Sequence, residues 1–200
     1  GHGLNTILAR ATDNDGYVSD YDTASVYVHL HTITLVPGYQ LISTYLDPIN
    51  PDIVDIMSPV VSDLTEMITL PNKIYLPEFN INTIENWNVM TAYKLRMTQA
   101  GEITIAGDPL KDNTLEFEAG SFAYLPVLSD QVSPIASIFD DPMNDVLIIL
   151  DLGNPFGIYW PDGDLLFLED LLPGKGYFAL FKNPVTVTYP EYLGYKPTDY

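Results

Sequence analysis

The chain reads as a mainly β protein with one short helix in each of two homologous β-rich modules (an α+β arrangement), and three observations predict it. Its acids divide into 19 Asp and 8 Glu, and Asp favours turns and loops where Glu favours helices. Apolar and polar residues alternate with period two, most clearly where Tyr93, Leu95 and Met97 oppose Lys94 and Arg96. Finally, five segments recur in the same order along the 200 residues, which marks an internal repeat.

The first copy runs through Gly38-Tyr39-Gln40-Leu41-Ile42-Ser43, a helix signal, Lys73-Ile74-Tyr75-Leu76-Pro77-Glu78, Thr91-Ala92-Tyr93-Lys94-Leu95-Arg96-Met97 and Glu102-Ile103-Thr104-Ile105. About 82 to 84 positions later come Gly120-Ser121-Phe122-Ala123-Tyr124-Leu125, Gly157-Ile158-Tyr159-Trp160-Pro161-Asp162, Gly176-Tyr177-Phe178-Ala179-Leu180-Phe181 and Val185-Thr186-Val187-Thr188. Residues 33–109 and 114–192 are the two modules, joined through 108–113, with 193–200 as a tail. The short joint and the apolar outer face of Phe178 and Leu180 predict that the copies pack together.

In each copy Asn50 or Ser133 can cap a helix whose first turn accepts Pro51 or Pro134, because that N–H has no helical partner anyway. Ile53, Ile56, Met57, Val60 and Val61, and later Ile135, Ile138 and Phe139, have the spacing of one buried helical face. Pro59 interrupts the first helix and Asp140-Asp141-Pro142 ends the second. Val146-Leu147-Ile148-Ile149-Leu150 is apolar on both faces, which predicts a central strand covered on each side.

Residues 1–32 match neither copy and read as a hairpin of strand, acidic turn and strand. Ala11-Thr12-Asp13-Asn14-Asp15-Gly16 followed by Val26-Tyr27-Val28 resembles the terminal strand pair of a PKD-type or cadherin-type immunoglobulin-like domain. The modules resemble a unit of large secreted bacterial surface proteins, through Gly38-Tyr39-Gln40-Leu41-Ile42-Ser43, Ile74-Tyr75-Leu76-Pro77-Glu78, Asn82-Thr83-Ile84-Glu85-Asn86-Trp87, Ile158-Tyr159-Trp160-Pro161 and Pro173-Gly174-Lys175-Gly176-Tyr177. That resemblance implies an extracellular or cell-surface location, cargo of the type IX secretion route, and other domains of the same parent chain as partners. It implies no catalytic residue.

Charge and composition narrow the chemistry. Eight Lys and Arg against 27 Asp and Glu give a net charge of −19, which repels nucleic-acid phosphates. No apolar run approaches the roughly 18 residues of a membrane span, so no membrane insertion is expected. The chain has no Cys, so thiol catalysis and disulfides are excluded. His2, His29 and His31 are the only histidines; neither module core offers a Ser–His pair, and His29 and His31 two apart on a strand read as surface residues. Pro173-Gly174-Lys175-Gly176 lacks the residues of a phosphate-binding loop and reads as a turn.

Two candidate sites remain. Asp13, Asn14, Asp15, Asp20 and Asp22 offer oxygens around Gly16 for calcium; the preferred reading of the same residues is a turn whose side chains cap their own backbone. Tyr75, Trp87, Tyr159 and Trp160 offer flat rings for stacking on an extracellular glycan; the preferred reading is that rings recurring in a repeat fill its core. The expected function is a non-catalytic structural or adhesive segment without a required cofactor. A carbohydrate-binding module is the alternative, and an accessory domain of a surface glycanase the third reading.

Overall fold

The computed structural model describes residues 2–153 and 155–193, with side chains at 8–21 and from 28 onward. It is mainly β, arranged in five sheets with short helices. A long hairpin comes first, made of β1 (His2–Ala9) and β2 (Asp22–Leu35). The boundary expected between residues 32 and 33 falls inside β2, whose second half pairs with β9 (Gly101–Pro109) in the register Ile33–Ile103. The hairpin is thus continuous with the first module and shares a strand with it. The edge of that sheet is closed by β4 (Leu46–Pro48) against β9.

The first five-stranded sheet is built from β3 (Gly38–Ile42), β5 (Leu64–Thr69), β6 (Lys73–Leu76), β7 (Ile81–Asn82) and β8 (Tyr93–Met97), in the order β3-β8-β5-β6-β7. In the second half, β10 (Thr114–Phe117) pairs with β18 (Val185–Thr188), and β12 (Ser133–Pro134) with β16 (Asp170–Leu171). Its five-stranded sheet uses β11 (Phe122–Pro126), β13 (Val146–Asp151), β14 (Gly157–Trp160), β15 (Leu165–Leu166) and β17 (Gly176–Phe181). The order β11-β17-β13-β14-β15 repeats the first strand for strand.

The correspondence extends to irregularities. A register shift falls between Leu64 and Glu66 in β5 and between Val146 and Ile148 in β13, the extra-residue kink of a β-bulge. A 3-10 turn follows β6 at Pro77–Phe79 and β14 at Pro161–Gly163, each closed by a left-handed residue, Asn80 (φ 51°) or Asp164 (φ 55°). Tyr93 and Tyr177 occupy matching sites in β8 and β17, and each phenolic oxygen accepts the backbone N–H five residues upstream, from Asn88 (2.6 Å) and from Leu172 (2.8 Å).

The helices are as short as their sequence breakers demand. α1 (Ile53–Met57) is capped by Asp52, not Asn50: the Asp52 carboxylate accepts from Val54 and Asp55 N–H. Asn50 instead orders the chain one step earlier, accepting from Asp52 N–H. Pro59 tightens the continuation into a 3-10 turn, Ser58–Val60, and leaves Val61 outside the buried face. α2 (Ile135–Ile138) has no side-chain cap, since Ser133 belongs to β12. Asp141-Pro142 does not merely stop it; Asp141 caps a further turn, α3 (Pro142–Asp145).

Each half keeps its own core. Leu35, Ile53, Met57, Met67, Trp87, Tyr93 and Leu95 fill the first; Leu125, Ile135, Val146, Ile149, Tyr177 and Phe181 fill the second. β13 is central as expected, but only its inner face is closed: Val146 and Ile149 are buried, whereas Ile148 and Leu150 are half-exposed.

Candidate functional site

The acidic turn is organised by its own backbone. One carboxylate oxygen of Asp13 accepts the N–H groups of Asp15 and Tyr17, both at 2.9 Å, and Gly16 takes φ 86°. That is the capped turn. Asp20 sits exposed beyond it, and the Asp22 side chain lies outside the described residues. Among the described residues no three His, Asp or Glu are grouped to hold a metal.

The ring candidates do not converge on a surface. Tyr75, Trp87 and Tyr159 are buried and only Trp160 is exposed. Trp87 packs on Tyr93 with centroids 4.5 Å apart, and its indole N–H is buried without a hydrogen-bond partner. Tyr159 donates to the Met143 sulfur, while Trp160 lies over Gly163.

The residues that do converge lie where the halves meet. The Ser43 N–H donates to the Gly174 carbonyl (3.1 Å), and its hydroxyl donates to the Lys175 carbonyl (2.5 Å) while accepting the Val127 N–H (2.9 Å). In return the Ala92 N–H donates to the Tyr124 carbonyl, and Val89 of the first half is buried in the second half's core. The contact is reciprocal, because corresponding strand ends meet each other, as in a two-fold interface. It is also tight. A Cβ on Gly176 would overlap that of Ala92 and lie 3.1 Å from that of Leu41.

Leu172-Pro173-Gly174-Lys175 forms the expected turn, with the Lys175 N–H donating to Leu172 O (3.1 Å) and Gly174 at φ 85°, so Pro and Gly hold the middle positions of a type II turn. It stands over His31, which sequence reading placed on the surface. His31 is instead buried, its Nδ1 2.9 Å from the Thr44 hydroxyl and its ring stacked on Tyr45 at 4.2 Å. Burial pushes its pKa down to about 4, so the ring is neutral at ordinary pH.

Beside the turn opens a cleft of about 280 Å³, lined by Thr32, Thr34, Gln40, Asp151, Gly174 and Lys175 among others. Its charges already satisfy one another. Asp151, 9% exposed at its side chain, accepts from the Lys175 ammonium at 2.6 Å and from Gly153 N–H at 2.8 Å. Gln40 is likewise closed on the backbone of Val36. Asp151 is the only carboxylate among the described lining residues, and it is held by Lys175.

Sequence reading missed Ser43 as a bridge, Ala92 and Gly176 as the closest approach, and Asp151 with Lys175. One signal was available: Ser43 has no equivalent in the second copy, where Pro126 follows Leu125. No family model, curated protein or solved structure matches this chain.

Proposed function

We propose that this chain is a non-catalytic structural or adhesive segment of a secreted or cell-surface multidomain bacterial protein, built from two copies of one module. The observation that carries this reading is the reciprocal latch: Ser43, Ala92 and Gly176 fix the halves to each other at backbone distance, which suits a rigid spacer better than a pair of beads on a linker. The glycan-binding alternative rests on Trp160 alone, since the other three rings are enclosed. Digestion of the native chain with a broad-specificity protease tests the proposal. A rigid segment stays intact across 108–113 for as long as the cores persist. Early cleavage there into two stable halves would contradict it, and retention of the chain on a glycan array would favour the alternative.

A further inference from the structure

The two five-stranded sheets bury equivalent inner faces but present different outer ones. In the first, one outward cross-strand row is Tyr39–Arg96–Glu66 and the next runs Lys94–Ile68–Ile74, while the Leu41 member of that row is buried where the halves meet. The aromatic member is covered by charge, with Lys94 4.7 Å and Arg96 5.5 Å from the Tyr39 ring centroid. The matching rows of the second sheet are Phe122–Leu180–Ile148 and Tyr124–Phe178–Leu150–Ile158. No charge interrupts them. Phe122 is 42% exposed and the other six are half-buried; Phe122 meets Phe178 and Tyr124 edge to face.

An apolar face left part-exposed among the described residues, on a chain of net charge −19, marks an interaction surface. Its size and its rim decide the partner. With strands about 4.8 Å apart and rows about 7 Å apart, the patch spans roughly 300 Å², well short of the about 800 Å² per partner that a stable folded interface takes. The rim is acidic. Glu118 and Asp145 stand at the Phe122 end, held there by the bonds from Ser121 N–H to Glu118 O and from Lys182 N–H to Asp145 O. Lys182 is engaged by Asp162 (2.7 Å), and Lys175 at the opposite end by Asp151, so neither lysine offsets the remaining acids. A second copy would carry the same net charge of −19 over its surface, which opposes self-association.

We propose that the outer face of β11, β17, β13 and β14 docks a short cationic amphipathic segment of another protein, its apolar side chains on the Phe178 and Leu180 rows and its Lys or Arg side chains at the rim. This goes beyond the spacer reading and stands or falls without it. The sheet does not depend on the outward residues, since the first sheet forms the same order with Lys94 and Arg96 there.

The test uses the whole chain and three synthetic peptides, alternating Leu-Lys, Leu-Glu and Ser-Lys, at about 150 mM salt to screen diffuse attraction. Variants are Phe178→Thr/Leu180→Thr, which leaves the charge unaltered, and Phe122→Thr as a milder second, each checked for wild-type far-UV circular dichroism. The Leu-Lys peptide should bind wild type at least about tenfold more tightly than the other two peptides, and lose about tenfold or more on the double variant and less on Phe122→Thr. Equal binding by wild type and both variants would overturn the proposal, as would equal binding of Ser-Lys or Leu-Glu, or no binding at all. Concentration-dependent dimerisation in sedimentation, abolished by the double variant, would make a second copy the occupant and equally overturn it.

Discussion

The two halves share a strand order, a bulge and a buried tyrosine, yet differ in the charge of their outward rows. Tyr93 and Tyr177 make the same bond to backbone five residues upstream, and Tyr75 and Tyr159 are both enclosed beside β7 and β15. Outside, Lys94 and Arg96 stand where the second sheet has Phe178 and Leu180. An inner face must satisfy close packing and backbone hydrogen bonds, whereas an outward face answers only to solvent and partners. Divergence of the outer rows is therefore where specialisation of each half is to be sought.

The same contrast ranks the expected effects of substitution. Between the halves a Cβ on Gly176 would overlap that of Ala92, so Gly176→Ala should cost roughly 3 kcal/mol in urea denaturation, at the upper end of overpacking penalties. Adding Ala92→Gly, which exchanges the residues of the two halves, should recover most of the loss; failure to recover would mean that Leu41 and the Ile42 carbonyl, not Ala92, set the limit. Next come Tyr93→Phe and Tyr177→Phe. Each removes the partner of a part-buried backbone N–H and should cost about 1–2 kcal/mol. Clearly unequal losses would break the equivalence of the halves.

A pH effect should originate in the first half, because no His occurs beyond His31. Burial lowers the His31 pKa from 6.5 to about 4, so between those values the unfolded chain takes a proton that the folded chain refuses. Stability is thus full above about pH 6.5, falls by up to about 1.4 kcal/mol per pH unit through the window, and stops falling on this account below about pH 4. His31→Gln should flatten that part of the profile; an unchanged slope would assign the effect to carboxylates. The smallest effect belongs to the exposed turn. Replacing magnesium by calcium at constant ionic strength should shift the melting temperature equally in wild type and Asp15→Asn, because the Asp13 carboxylate already serves its own backbone. A calcium-specific shift lost in Asp15→Asn would convert the turn into a metal site.

What could be read in the sequence follows from what repetition preserves. Strand order, the place of Tyr75, Tyr93, Tyr159 and Tyr177, and the existence of both helices leave periodic traces. The contact between the halves leaves only the departure of Pro126 from Ser43, because Ala92 and Gly176 act through the absence of side chain and Ser43 through one hydroxyl. β2 crosses the expected boundary for a different reason: residues 1–32 stand apart because they match neither copy, yet strand pairing runs through residue 32 without a break. His31 misled because a single His between Leu30 and Thr32 looks solvated, and only its register opposite Ile105 shows that it faces inward. Phe178 and Leu180 did signal an unfilled surface, but the halves pack through strand ends, and those two side chains still face outward.

The claim on which the account turns is that the latch makes two separate cores one mechanical unit. Hydrogen exchange of the native chain, followed by mass spectrometry on peptides covering β8 and β17, tests it most directly, since exchange reports the free energy of each opening. The account predicts that both strands open with the same free energy, and that Gly176→Ala lowers protection in both together. Exchange of one strand about 100-fold faster than the other, or loss of protection confined to β17 in the variant, would contradict it.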